Sequence, residues 1–420
     1  MKTLYQNDFP LLNGNEGASA RSSQAKPLIY LDNAATTQKP TEVLEAVKLF
    51  YEKWNANPYR GLYRNSKIAT ELYESARAYV GEFIGAQRSE IVFTRNTTEA
   101  INLIAYSYGL QHLDKNDQVV VSILEHHSNL VVWQQICAMT GAELVYLYPD
   151  KQGVFGLEEI EQTITRRTKI VAITYVSNVL GSVNPAETII EHAHSMGAVV
   201  MLDCAQIIAH RPVSMKKLDV DFAAFSGHKV YGPMGIGVLY CKEQVLRDMK
   251  PCMFGGEMID EVFKDRSTFA DGPKRFEAGT PNVGGALGLA QAFQYLEKIG
   301  FDAIQKHEQQ LTKHLIEGLS SIDAVTIYGN SSYDENRCGV ISFSVAGTIP
   351  DDVAAVCDQE NIAIRSGSHC AQPLHQWLGI ENSCRVSPCF YNSLEEIDVF
   401  LEVVASARRK ITQRIMTFFP

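Results

Sequence analysis

The sequence predicts an α/β fold in which a large, mainly parallel sheet is followed by a smaller C-terminal α/β domain. Apolar runs alternate with helical patterns over residues 90–227, and a second set of such runs follows a long helical pattern at residues 284–300. Strands that are apolar throughout are typical of a parallel sheet covered by helices on both faces. A chain of 420 residues with 45% hydrophobic residues is long enough for both domains.

The elements follow in a regular order along the chain. The runs expected to form strands of the first domain are LIYLD, EIVFT, QVVVSIL, KIVAITYV, AVVMLD and DFAAFSG, and IGVLYC is expected to close its sheet. The second domain is expected to contain the strands AVTIYG, GVISFSV and NIAIRSG and the helices DDVAAVCDQE and LEEIDVFLEVVASARRK. The polar stretch 13–26 reads as a flexible link. We therefore expect an N-terminal segment and linker packing with the small domain (1–27), a large domain (28–297) and a small C-terminal domain (298–420).

Composition excludes several classes of function. The formal charge is −10 and no block of Lys or Arg stands out, which argues against nucleic acid as a partner. Nine cysteines without a CxxC pair argue against a disulfide framework or a zinc finger. No run is long and apolar enough for a signal peptide or a membrane span, so we expect a cytoplasmic protein that does not bind membranes.

Lys229 and Asp203 form the most informative pair in the sequence. Asp203 ends the run AVVMLD, and Lys229 lies in the turn FSGHKVYGPMGIG. Such a lysine can hold pyridoxal phosphate (PLP) as a Schiff base, and the carboxylate can pair with the pyridine nitrogen so that the ring stays an electron sink. Ser226 and His228 can donate to the phosphate, and Gln206 can reach the phenolic oxygen. Each residue alone fits a surface lysine or a helix cap better, but together they favour the cofactor.

Polar residues also follow three other predicted strands. Thr97 and Thr98 lie where EIVFT turns into a helix, and a helix N-terminus binds anions such as phosphate. Without Lys229, an ordinary helix cap would be the better interpretation. His126, in EHHSN, can stack on the cofactor ring, and no third ligand at suitable spacing supports a metal site. Asn178 can orient the cofactor or the substrate, or shape a turn.

A second cluster of candidate residues lies in the C-terminal domain. The run NIAIRSG reaches Arg365 and continues into a polar loop with His369 and Cys370. Buried cysteines usually behave as small hydrophobic residues, but a cysteine in a polar, glycine-containing loop is expected to be exposed and reactive. Arg385 is a candidate for bidentate binding of an α-carboxylate, although an arginine near a turn is more often a solvated charge.

Nine motifs in the same order resemble group II cysteine desulfurases of the Suf type, within the class V aminotransferase-like superfamily. They are LDNAATTQKP, RNTTEAIN, EHHSNLVVWQ, SNVLG, DCAQ, SGHKVYGPMGIG, RFEAGTPN, RSGSHCAQP and CRVS followed by YN. The resemblance implies the PLP-dependent aminotransferase-like fold of type I. It also implies conversion of L-cysteine to L-alanine, with a persulfide passed to a sulfur-acceptor protein of the Suf system for iron–sulfur cluster assembly.

The resemblance implies roles for individual residues. For the cofactor these are Lys229 as the Schiff-base lysine, Asp203 as the pyridinium partner, Gln206 as the phenolate donor, His126 as the stacking histidine, and Thr97, Ser226 and His228 as phosphate ligands. Cys370 matches the persulfide cysteine, Arg385 the carboxylate clamp, and Asn178 and Arg365 supporting polar groups. Thr280 resembles the residue that reaches the phosphate of the other subunit's cofactor, which implies a homodimer with shared active sites.

The sequence departs from the family pattern at several positions. Ser368 replaces the first of two histidines before the cysteine, and Tyr59 and Tyr63 stand where the family has histidines. Cys204 and Cys389 are further departures. Selenocysteine lyase and cysteine-sulfinate desulfinase share the fold and cofactor and stay open, whereas a kynureninase or an epimerase would not need the cysteine. The alternative that is not an enzyme is a PLP-binding scaffold or regulator with little turnover.

Overall fold

The computed structural model describes residues 5–13, 26–333 and 337–418. The predicted link at residues 13–26 lies outside this part of the chain apart from its two end residues. The helices are α1 Thr41–Leu49, α2 Arg64–Phe83, α3 Thr97–Ile104, α4 Leu110–His112, α5 Val131–Thr140, α6 Leu157–Thr163, α7 Ala186–Met196, α8 Met215–Leu218, α9 Glu243–Asp248, α10 Val283–Ile299, α11 Phe301–Ser320, α12 Pro350–Gln359, α13 Gln372–Trp377 and α14 Leu394–Phe418. The strands are β1 Ile29–Tyr30, β2 Ile91–Thr94, β3 Gln118–Ser122, β4 Glu143–Leu147, β5 Thr168–Thr174, β6 Val199–Asp203, β7 Phe222–Ser226, β8 Gly237–Cys241, β9 Ile259–Val262, β10 Ser267–Phe269, β11 Val325–Ile327, β12 Ile341–Val345, β13 Ile362–Ala363, β14 Arg365–Gly367 and β15 Ser383–Val386.

The large sheet has seven strands in the order β2-β8-β7-β6-β5-β3-β4. Strands β3 to β7 pair in parallel, and β8 is antiparallel to both of its neighbours. Apolar residues of its central strands are buried on both faces, in two separate clusters, as the continuous apolar runs predict. This arrangement confirms the predicted α/β fold with a mainly parallel sheet. It also brings the carboxyl ends of β3, β5, β6 and β7 to one edge, where ligands of such sheets bind.

Within the large sheet, two strands differ from the sequence-based expectation. The run IGVLYC forms β8, which lies between β2 and β7 rather than closing the sheet at an edge. Strand β4, Glu143–Leu147, was not predicted and lies at the edge beside β3. Four of its five residues, in the sequence ELVYL, are apolar or aromatic, but only the last is fully buried, because β4 has a neighbouring strand on one side only.

The C-terminal region forms a second sheet of four strands in the order β11-β12-β15-β14. Its core contains Leu315, Phe343 and Phe400, from α11, β12 and α14. Ile29 and Leu31, near the start of the stretch that the sequence assigns to the large domain, pack in this core, because β1 pairs in parallel with β13. The chain therefore visits the C-terminal core before it builds the large sheet.

The N-terminal segment packs on aromatic residues of the later chain. Phe9 is fully buried, and its ring centroid lies 4.6 Å from that of Tyr391 and 6.1 Å from that of Tyr231. The Gln6 side chain donates a hydrogen bond to Glu396 of α14 (3.0 Å). Across the described ranges, no helix combines the length and the apolar character that crossing a bilayer requires.

A buried ion pair joins α2 to the segment before α10. Arg77 donates to the Glu277 carboxylate (2.8 Å) and to the carbonyl of Ile91 (2.9 Å), and its side chain is 4% exposed. Arg77→Met is expected to lower the free energy of unfolding by about 3–5 kcal/mol, because it leaves Glu277 buried without its cation. Urea denaturation measures this. As a control, Arg95→Met removes an exposed ion pair with Glu99 and should cost less than about 1 kcal/mol; equal losses would contradict the prediction.

Candidate active site

A cleft of about 220 Å³ lies at the carboxyl edge of the large sheet and is lined by residues from both parts of the molecule. All of the site residues predicted from the sequence line it, except Thr280. They are Thr97, Thr98, His126, Asn178, Asp203, Gln206, Ser226, His228, Lys229, Arg365, Cys370 and Arg385. Residues that are distant in sequence therefore share one site.

Lys229 and Asp203 come from adjacent parallel strands. Asp203 ends β6, and Lys229 follows the end of β7. Burial lowers the pKa of the Lys229 amine to about 8, an effect that Asp203 opposes. Burial raises the pKa of the Asp203 carboxyl, and Lys229 opposes that shift. The sheet thus holds an ammonium group and a carboxylate in one cleft, where both are buried and water screens the attraction between their charges little.

Hydroxyl groups gather at the N-terminus of α3. The Thr97 amide donates to Ser226 Oγ (2.8 Å), and the hydroxyls of the two residues lie 2.6 Å apart. Thr98 Oγ1 lies 2.7 Å from Ser128 Oγ. His228 Nδ1 is buried and makes no hydrogen bond within the described residues. The helix N-terminus and these hydroxyls provide the donors that a phosphate needs.

His126 presents a neutral imidazole to the cleft. Burial, followed by the nearby Lys229, lowers its pKa to about 3. Its Nδ1 accepts a hydrogen bond from the Ser128 amide (3.1 Å), so the proton resides on Nε2. The preceding residue, Glu125, is buried, and its carboxylate accepts hydrogen bonds from the Thr174 amide (2.8 Å) and from the Asn129 side chain (2.7 Å). The bond from Thr174 joins the ends of β3 and β5. Sequence reasoning did not identify Glu125, because its role depends on contacts between strands.

The loop that carries Cys370 is short and tightly held. Residues 368–371 connect β14 to α13, and Cys370 is half-buried. His369 and Cys370 both have left-handed backbone conformations, with φ of 51° and 57°. Such conformations cost about 1–3 kcal/mol each and need support from their surroundings. The amide of His127 donates to the Cys370 carbonyl (2.7 Å), and His127 Nε2 accepts from the Gln372 amide (3.1 Å).

Asn178 supports the same loop from the other side. Its side-chain amide donates to the His369 carbonyl (2.9 Å), so this donor is used on the protein itself. The Asn178 carbonyl accepts from Arg385 (3.1 Å). Asn178 therefore links the end of β5 to both the cysteine loop and Arg385. Neither His127 nor this use of Asn178 has a signal in the sequence beyond the EHHSN and SNVLG motifs.

Two arginines form a cationic wall of the cleft. Arg365 and Arg385 lie directly opposite each other on the paired strands β14 and β15. Arg385 is 2% exposed and donates to the Asp32 carboxylate (3.0 Å), while its Nε has no hydrogen-bond partner in the described part of the chain. Adjacent guanidinium groups of like charge in a buried site favour binding of an anion such as a carboxylate. Asp32, in the motif LDNAATTQKP, was not predicted as part of the site.

Thr280 lies apart from this group of residues. It is exposed and lines a second cleft together with Arg95, Glu99 and Glu277. The structure therefore does not bring Thr280 to the cleft that contains Lys229 of the same chain.

The residues of the first cleft fit pyridoxal phosphate. Lys229 has an amine with a lowered pKa that would bind the cofactor, the Asp203 carboxylate would pair with the pyridine nitrogen, and the N-terminus of α3 would bind the phosphate. His228 also lines the cleft, and its buried Nδ1 has no hydrogen-bond partner among residues 5–13, 26–333 and 337–418. PLP is the cofactor of this fold, and these residues would hold it.

Comparisons with known proteins identify the family of this chain. The family model described as aminotransferase class-V matches residues 29–400. The chain is 46% identical over 391 residues to a probable cysteine desulfurase of Halalkalibacterium halodurans, covering 93% of this chain and 94% of that protein. It is 42% identical to a cysteine desulfurase of Haloferax volcanii, covering 96% and 95%. The apo structure of a cysteine desulfurase from Thermococcus onnurineus is 41% identical with a TM-score of 0.90, covering 96% and 97%. This chain therefore belongs to the class-V aminotransferase family of PLP-dependent enzymes.

Proposed function

We propose that this protein is a cysteine desulfurase, which releases L-alanine from L-cysteine and takes the sulfur as a persulfide on Cys370. The observation that supports this proposal most strongly is that one cleft is lined by Cys370, Lys229, Arg365 and Arg385. A lysine for the cofactor alone would fit many PLP enzymes. A cysteine in a strained, supported loop that lines the same cleft as the lysine fits a reaction in which a sulfur atom is transferred from the substrate to the cysteine.

Each residue has a distinct task in this proposal. PLP, when bound, supplies an electron sink for the carbon skeleton of the substrate. Arg385 and Arg365 bind the substrate carboxylate, and Lys229 moves the proton at the α-carbon. The Cys370 thiolate attacks the substrate sulfur, so that an S–S bond forms while the bond from sulfur to carbon breaks. The carbon then takes a proton, and L-alanine leaves.

The persulfide is passed to an acceptor protein in this proposal. Because the loop over residues 368–371 is anchored by His127 and Asn178, Cys370 cannot travel far from the cleft. The acceptor must therefore dock at the cleft, as expected for a group II enzyme of the Suf type that serves iron–sulfur cluster assembly.

We further propose a homodimer with shared active sites, in which Thr280 contacts the cofactor of the other subunit. Large apolar side chains are exposed in segments that lie near Thr280, among them Leu62 (90%) and Phe254 (66%). These segments are connected by the Arg60–Glu257 ion pair (3.0 Å) and by a backbone hydrogen bond from Gly279 to Gly256. Exposed apolar groups of this kind are typical of protein interfaces. Analytical ultracentrifugation of wild type and a Leu62→Asp variant tests the dimer.

The function is tested by incubating the purified holoprotein with L-cysteine and a reductant. L-Alanine and sulfide should appear in equal amounts, and the protein should absorb visible light through its bound cofactor. A protein that binds PLP without releasing alanine from cysteine would contradict the proposal and favour a different amino-acid substrate or a scaffold.

Ser368→His is expected to raise turnover several-fold. The family resemblance places a histidine here, where a titratable group next to the cysteine loop can move protons that serine cannot. Rapid-quench measurement of persulfide formation and of transfer to an acceptor locates the effect. Ser368→Asn is the control, since it adds a polar group of similar reach that does not titrate. Unchanged rates of both steps in Ser368→His would contradict the hypothesis.

A further inference from the structure

The imidazole of His369 ends a chain of hydrogen bonds that fixes its tautomer. His375 Nδ1 lies 3.0 Å from the carbonyl of Ala371, which can only accept, so this nitrogen carries the hydrogen. Burial lowers the pKa of His375, so its Nε2 is a bare acceptor and takes the hydroxyl hydrogen of Ser383 (3.1 Å). Ser383 Oγ then accepts from His369 Nε2 (3.0 Å).

This chain leaves His369 Nδ1 as a bare acceptor. The atom is buried and makes no hydrogen bond within the described residues, and His369 as a whole is only 4% exposed. Burial, then Arg385, His375 and Arg365, lower the pKa of His369 to about 2, so the ring stays neutral. A buried acceptor without a partner is unfavourable, and a ligand that brings a donor removes that cost.

His369 lines the cleft together with Lys229, Arg365, Arg385 and Cys370. If the proposed function holds, the substrate carboxylate pairs with the arginines and its amine is committed to the cofactor. The thiol is the one hydrogen-bond donor of L-cysteine that is left. We propose that His369 Nδ1 accepts the S–H hydrogen bond of L-cysteine and is a specificity-determining residue for a thiol-bearing substrate.

A purely structural role for the same ring makes a different prediction. The bond from His369 Nε2 to Ser383 could serve only to hold the cysteine loop. Loss of such a support would weaken binding of every amino acid to a similar degree. A thiol acceptor instead distinguishes between ligands that differ only at the sulfur.

The test uses the holoprotein with Cys370→Ala, which cannot accept sulfur. Dissociation constants are measured by calorimetry for L-cysteine and for L-2-aminobutyrate, in which a methyl group replaces the thiol. We expect L-cysteine to bind about tenfold more tightly, the effect of one recovered hydrogen bond. Adding His369→Phe should remove most of this preference and leave the affinity for L-2-aminobutyrate within about twofold.

Two further variants separate the tautomer from general damage. Ser383→Ala allows the His369 ring to place its hydrogen on Nδ1 and should reduce the preference for cysteine. Thr168→Val removes a buried hydroxyl at the amino end of β5, far from the cleft edge, and should leave the preference unchanged. An unchanged ratio in His369→Phe, or an equal loss for both ligands, would overturn the role of His369. If L-cysteine does not bind even with His369 intact, the proposed function fails as well.

Discussion

Cys370→Ala is expected to reduce the release of L-alanine and sulfide from L-cysteine by at least about a thousandfold, as removal of an essential nucleophile does in other enzymes. Alanine has no group that can attack the substrate sulfur, and the half-buried cleft offers no second cysteine, because Cys370 is the only thiol among its lining residues in the described chain. Steady-state assays of both products measure the loss. PLP content and the circular dichroism spectrum should stay as in wild type.

The control for this variant is Cys252→Ala. Cys252 is an exposed cysteine outside the cleft, so its removal tests whether any accessible thiol takes part. We expect wild-type rates for Cys252→Ala. A Cys370→Ala protein that still releases both products at the wild-type rate would show that sulfur leaves without this thiol, and would favour a lyase that releases sulfide directly.

The position of the cleft could be predicted from local patterns. His126, Asp203 and Lys229 each follow an apolar run, and parallel strands bring such residues to one edge. The structure confirms this reasoning, because the sheet order places β3, β5, β6 and β7 side by side. The roles of the individual residues stay predictions.

The contacts that hold the cleft could not be predicted in the same way. The bonds from His127 to Cys370 and from Arg385 to Asp32 join residues that lie hundreds of positions apart. Local periodicity carries no information on such pairs, which depend on how the two cores meet. The same reason explains β1, whose residues Ile29 and Leu31 pack beside a strand from the far end of the chain.

Two of the departures from the family pattern prove to be core positions. Cys204 and Cys389 are fully buried, and neither lines the cleft. Burial raises the pKa of both thiols, so they are unreactive. Tyr59 lies elsewhere, where its hydroxyl donates to Glu74 (2.6 Å) and its ring faces the ammonium of Lys274. None of these three residues lines the cleft that contains Lys229 and Cys370.

Lys229→Ala should lower alanine formation by at least about a thousandfold and abolish the covalent attachment of PLP. In the proposed mechanism the amine of Lys229 acts twice, first to hold the cofactor and then to move the proton at the α-carbon. Borohydride reduction followed by peptide mass spectrometry should place PLP on Lys229 in the wild type and on no lysine in the variant. Lys229→Arg is a second variant that keeps the charge but lacks a nucleophilic amine, and it should be equally inactive.

Lys39 is the rival lysine that this experiment must exclude. Burial lowers its pKa to about 7, so by pKa alone it would be the more reactive amine. Its ammonium, however, donates to the carbonyls of Thr37 and His228, the latter at 2.9 Å, and it does not line the cleft. Lys39 thus has backbone partners that hold it as a donor, whereas Lys229 faces the cleft. Recovery of PLP on the Lys39 peptide would contradict this assignment, and activity retained in Lys229→Ala would do so independently.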